Sequence, residues 1–125
     1  MIQINPASGQ PIFEQIISQI KMSVLKGYLK PGDNLPSVRK LALSLSVTPG
    51  TVAKAYSELE HQNVIVTIRG KGAYIAEKGD SKPSVVQLQR GFATFREICI
   101  NLIYMGVQKE ELEKELDEIY SSVLR

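Results

Sequence analysis

The chain has 125 residues, of which 43% are hydrophobic and 22% charged, and a formal net charge of +2. That length suits one domain, or one small domain with an appendage, and buries roughly two thirds of the unfolded surface without disulfides or metals. A single cysteine, Cys99, and a single histidine, His61, exclude a disulfide framework and a zinc-ligand cluster. There is no run of about 18 apolar residues, and the N-terminus lacks the basic segment and apolar core of a signal peptide. The expectation is an intracellular protein with no membrane partner, no metal and no cofactor. Charge is unevenly spread. Residues 1–78 hold nine basic and five acidic side chains (+4), and residues 79–125 hold six and eight (−2). A basic front half with an acidic tail fits a polyanion-binding module joined to a second element.

Pro11 opens the first predicted helix, where its missing N–H costs nothing. Ile12, Ile16, Ile20 and Val24 recur every four residues, with Phe13, Ile17 and Leu25 beside them, so one apolar stripe runs to about Gly27. Lys30-Pro31-Gly32-Asp33 is a turn with Gly32 at positive φ. Ser37 caps a short second helix that buries Val38, Leu41, Ala42 and Leu45. After the turn Ser46-Val47-Thr48, Thr48 caps a third helix with Pro49 at its first position. This helix runs to about Gln62 and buries Val52, Tyr56 and Leu59. So short a separation forces the sharp crossing of a helix-turn-helix.

Val64–Ile68 reads as a strand, Arg69-Gly70-Lys71-Gly72 as a turn, and Ala73–Ala76 as the returning strand. Residues 78–84 have linker composition. Two helices follow. Leu88, Phe92, Phe95, Cys99 and Leu102 share one face of the first, widened by Ile98, Ile103 and Met105, and Gly106 stops it. Cys99, among apolar neighbours, reads as a small buried side chain. Val107 and Leu112 suit a hydrophobic staple around Gln108, and Leu112, Leu116, Ile119 and Val123 form a narrow seam on the last helix. The expected architecture is mainly α with a small β-hairpin wing. A winged helix-turn-helix spans residues 1–78 and a two-helix tail spans residues 79–125.

Only the major groove admits a helix to base edges, and the N-terminal turn of the second helix of a helix-turn-helix enters it. Here that turn is Thr48-Pro49-Gly50-Thr51. The threonine hydroxyls can bond phosphate or base, Gly50 permits close backbone approach, and Lys54 reaches a phosphate or a guanine one turn later. The helix N-terminus adds a positive end. Arg39 on the preceding helix can clamp guanine or phosphate with two bonds, or instead pair with Glu58. Ser37 and Lys40 are further phosphate candidates. Arg69 and Lys71 flank Gly70 at the wing tip, where an arginine can enter a narrow minor groove.

These residues resemble the GntR family of bacterial transcription regulators. The resemblance is carried by Pro11-Ile12-Phe13, Pro31-Gly32-Asp33 and Leu35-Pro36-Ser37-Val38-Arg39. The run Thr51-Val52-Ala53-Lys54-Ala55-Tyr56-Ser57-Glu58-Leu59-Glu60 and the turn Arg69-Gly70-Lys71-Gly72 extend it. It covers about residues 10–76 and implies DNA contacts at Arg39, at Thr48 to Thr51 and at Gly70. About forty residues after the linker are too few for the large effector-binding or aminotransferase-like domains of many members. They resemble the short helical dimerisation tail of the YtrA-like subfamily, whose members are typically repressors. Pro49 and Ala53 stand where many members carry arginines, and Gly50 where asparagine is common in the subfamily. Base readout then leans on Arg39, Lys54, the threonines and the wing.

The resulting reading is a homodimeric, sequence-specific repressor in the cytoplasm, associated with the nucleoid and bound to a double-stranded DNA operator of inverted-repeat form. Dimerisation falls to Leu88, Phe92, Phe95, Cys99, Leu102, Leu112, Leu116 and Ile119. Two readings stand beside it. One is a small-molecule-responsive repressor whose effector lies near the tail against Phe92, Phe95 and Tyr104. The other is a winged helix that docks a protein without binding DNA. An enzyme is not expected. His61 has no Cys or Ser nucleophile motif beside it, and the acidic run from Glu110 to Glu118, interspersed with lysine, reads as a solvated face.

Overall fold

The computed structural model describes residues 2–77 and 83–124. The chain divides into two units, Met1–Lys82 and Pro83–Arg125. The expected boundary after residue 78 and most of the expected linker lie outside the described residues.

In the first unit, α1 spans Ile12–Leu25. Pro11 occupies the cap position, one residue before the first helical residue expected of it. Ile16, Ile17 and Ile20 are buried, Ile12 and Val24 partly so. Leu25 is 54% exposed, so the stripe fades toward the helix end, where the chain turns away at Lys26 and Gly27. Helix α2, Val38–Leu45, is capped by the Ser37 hydroxyl, which accepts from Lys40 N–H at 3.1 Å. Ser46 stops it in the left-handed conformation (φ 56°, ψ 44°), which turns the chain sharply into α3, Pro49–His61. Val52, Ala55, Tyr56 and Leu59 form the buried face of α3, which packs on α1 and α2. Ile16, Ile20, Val52, Leu59 and Ile65 are sealed at the centre of this core.

The wing is an antiparallel pair, β1 (Ile65–Ile68) with β2 (Gly72–Ile75), registered from Ile65 opposite Ile75 to Ile68 opposite Gly72. Both strands differ slightly from expectation. Val64 precedes β1, and β2 starts at Gly72 rather than Ala73 and ends before Ala76. The segment read only as a turn also pairs with β2. Ile75 N–H donates to the Asp33 carbonyl and Leu35 N–H to the Ala73 carbonyl, each at 2.8 Å. Gly32 has φ +87°, a left-handed conformation in which any side chain is strained, so this turn favours glycine.

In the second unit, α4 spans Val85–Tyr104 and α5 spans Lys109–Val123. A reciprocal capping box joins Ser84 and Gln87 at the start of α4. Gln108 caps α5 through its backbone position alone. Neither helix buries a single described residue. Cys99, expected to be buried, is half-buried.

Candidate nucleic-acid interface

At 100° per residue the buried stripe of α3 leaves Gly50, Lys54, Ser57 and His61 on the opposite side, and all four are exposed. This face begins at the predicted reading turn. Thr48 holds the cap position, but its hydroxyl makes no cap hydrogen bond. It pairs instead with the Thr51 hydroxyl at 2.9 Å. The expectation of a side-chain cap is thereby corrected. With Pro49 lacking an N–H, the next amide after Gly50, that of Thr51, turns back onto the Thr48 carbonyl at 3.1 Å. One hydroxyl proton is used within the threonine pair, and the other is free for an acceptor such as a phosphate oxygen. At Gly50 nothing lies within 4 Å of where a Cβ would stand, so the helix start is open to close approach.

Arg39 and Lys40 are exposed on α2. Arg39 edges a cleft of about 420 Å³ with Ala42, Leu43, Ser46, Val47 and Pro49, between α2 and the start of α3. The alternative pairing with Glu58 is not formed. Glu58 accepts from Gln62 Nε2 at 2.8 Å, and the ion pair found among the described residues is Lys109–Glu113 at 3.7 Å. The Arg39 guanidinium is therefore uncommitted. Ser37 is engaged as the cap of α2, which fixes the helix carrying Arg39.

Tyr56 is buried, with its hydroxyl on the Pro36 carbonyl at 2.7 Å, and loss of solvent pushes its phenol up to about 12. It is core, as expected. Lys54, expected to reach a phosphate or a guanine, is exposed, and its Nζ lies 4.0 Å from the centroid of the Phe13 ring on α1. At the wing tip Arg69, Gly70 and Lys71 are exposed, with Gly70 at φ +80°. Lys71 N–H closes the turn onto the Ile68 carbonyl at 2.9 Å. All of the predicted DNA-contacting residues thus lie in the first unit, at the start of α3, along α2 and at the wing tip. Ser57 and His61 share this face of α3 by the helical period from Gly50, and neither is among the expected DNA contacts.

The tail presents its apolar residues openly. Phe92 is 70% exposed, and Leu88, Phe95, Leu116 and Ile119 are also exposed, whereas Cys99, Leu102 and Leu112 are half-buried. Leu88, Phe92, Phe95, Leu116 and Tyr120 border a cleft of about 500 Å³. Tyr104, expected beside the two phenylalanines, is 91% exposed and does not border it.

Residues 12–75 match the family described as bacterial regulatory proteins, gntR family. The chain is also 44% identical to the HTH-type transcriptional repressor YtrA of Bacillus subtilis, over 98% of this chain and 95% of that protein. The chain belongs to the GntR family. It is a DNA-binding transcription regulator of winged helix-turn-helix fold, and the curated GntR relatives it matches are transcription regulators. A transcriptional antiterminator from Listeria monocytogenes is similar to it in structure, with a TM-score of 0.94 and 41% identity over all of this chain and 93% of that one. YtrA of Sulfolobus acidocaldarius, a GntR-family transcription factor, has a TM-score of 0.57 and 33% identity, covering 99% of this chain and 100% of that one. Among the described residues, no helix is long and apolar enough to cross a membrane, and no cluster of side chains is arranged to hold a metal ion.

Proposed function

We propose that this GntR regulator is a homodimeric repressor that occludes a promoter by binding an inverted-repeat operator. Residues 1–78 form the reading head and residues 79–125 the dimerisation tail. Helix α3 enters the major groove with Thr48, Pro49, Gly50, Thr51 and Lys54. Arg39 clamps a guanine or phosphate, Ser37 and Lys40 lie along the backbone, and Arg69, Gly70 and Lys71 reach the minor groove or backbone. One observation carries this reading: an open helix start, an uncommitted arginine and a basic hairpin tip occur together in one unit. Each head needs about half a site. Pairing of two tails about a two-fold axis supplies the second half and makes the operator palindromic. The apolar faces of α4 and α5, on which no residue is fully buried, support that pairing, since short helices do not leave so wide an apolar face in water. The setting is the bacterial cytoplasm, at the nucleoid.

Selection of bound duplexes from a random pool tests the proposal. The native chain is expected to enrich an inverted repeat, and Arg39→Ala to weaken it or blur its definition. If each subunit neutralises ~3–4 phosphates, the logarithm of the affinity falls against log salt with a slope of about −5 to −7. A slope near zero, or no enriched motif from a folded chain, would sink it. The tail cleft favours a second reading, in which a small apolar effector occupies it and alters dimer geometry. A melting-temperature shift of the native chain across a metabolite panel would show such an effector.

A further inference from the structure

A lysine on the DNA-facing side of a recognition helix has two employments. It can extend along the groove to a guanine edge, or it can be held back at the groove wall for a backbone phosphate. Lys54 stands in the second turn of α3, and its Nζ lies 4.0 Å from the centre of the Phe13 ring, the second residue of α1. The ring draws the ammonium toward α1, whereas Arg39 and Pro49 line the separate cleft between α2 and the start of α3. It attracts the cation through its quadrupole without neutralising it. Lys54 forms no ion pair among the described residues, so its charge stays available to an anion. A flexible four-carbon stem is thereby biased toward one geometry before any DNA arrives, and part of its ordering cost falls on the free protein. Phe13 itself is half-buried and packs against the core, so its ring has a fixed seat.

We infer that Phe13 is a positioning residue for DNA binding, holding the Lys54 ammonium for a backbone phosphate and not for a base edge. This rests on the reading that α3 lies in the major groove. The contact divides the labour of the head. Sequence discrimination falls to Arg39 and the first turn of α3, while Lys54 adds affinity that is the same on every sequence.

The test is fluorescence anisotropy of the full chain on two labelled duplexes of equal length, one enriched from the random pool and one of shuffled sequence. Phe13→Leu is expected to weaken both by the same factor, about two- to fivefold. Lys54→Met is expected to weaken both equally and to remove about one unit per subunit from the salt slope. In the Lys54→Met background Phe13→Leu should have no further effect, and Phe13→Tyr should bind like the native chain. Equal losses from Phe13→Leu with and without Lys54 would overturn the positioning role and leave Phe13 a packing residue. A Lys54→Met loss confined to the enriched duplex would make Lys54 a base reader and overturn the assignment without touching Phe13's fold. Native binding that ignores salt would instead overturn the DNA reading beneath both. The Lys54→Met comparison of the two duplexes stands alone if Phe13→Leu lowers the melting temperature too far to assay.

Discussion

Tyr56 on the recognition helix donates a 2.7 Å hydrogen bond to the carbonyl of Pro36, the residue before the Ser37 cap of α2. The bond ties α3 to the segment that leads into α2, the helix carrying Arg39. Tyr56→Phe keeps the ring and leaves the Pro36 carbonyl without that partner. It is expected to cost about 1 kcal/mol in urea unfolding. An unchanged midpoint would show that water replaces the hydroxyl.

The same phenol makes stability depend on pH at the alkaline end. Burial raises its pKa from 10.0 to about 12. Between those values the unfolded chain has lost the proton that the folded chain keeps. The folded state binds more protons there, so stability falls as pH rises. The contribution is full below pH 10 and is lost as pH rises through about 12, a change on the order of 2 kcal/mol. Urea unfolding of the native chain and of Tyr56→Phe at a series of pH values isolates it. The gap between the two should be constant up to about pH 10, then close and reverse sign as pH approaches about 12. Parallel curves throughout would contradict the assignment.

Gln15 holds the N-terminal arm against α1. Its Oε1 accepts from Asn5 N–H at 2.7 Å, and its Nε2 donates to the carbonyls of Asn5 at 3.0 Å and Gln10 at 2.8 Å. It is one of only two buried polar residues among those described, and all of its hydrogen-bonding atoms are engaged. Gln15→Leu removes three bonds to backbone groups and is expected to cost about 1–3 kcal/mol. Amide exchange should report it locally, with protection at Asn5 lost while that of the α3 core is retained.

Phe92→Glu tests the tail. The side chain is 70% exposed, so the change should not unfold the chain. It buries a charge in the proposed subunit contact and is expected to convert dimer to monomer in sedimentation. Affinity for a full inverted repeat should then fall toward that for a half-site. Sedimentation identical to the native chain would remove this face of α4 from the interface.

Helices of the head were legible because their signals are local. Ser37 caps where it stands, Pro49 starts α3, and the apolar periods around Ile16 and Val52 point to one core. What escaped involves partners far apart in the chain or two groups with several choices. Nothing in the spacing of Phe13 and Lys54 announces a contact across 41 residues, nor does Gln15 announce that its amide will grip Asn5 and Gln10. Thr48 looked like a side-chain cap because threonine favours that position. Its hydroxyl found Thr51 one turn on, a competition settled by geometry that residue preference does not encode. The apolar face of α4 and α5 was legible as wider than two helices bury alone, and neither helix buries a described residue, whereas the expected burial of Cys99 is only partial.

The wing is pinned on both flanks of β2, by β1 on one side and by Asp33 to Leu35 on the other. Leu35 stands two residues before the cap of α2. In the proposed complex a duplex pressing on Arg69 or Lys71 would load a hairpin whose root is continuous with the helix carrying Arg39. Such a head would there span two grooves at a set distance, and DNA of a different groove geometry would have to deform to meet both contacts.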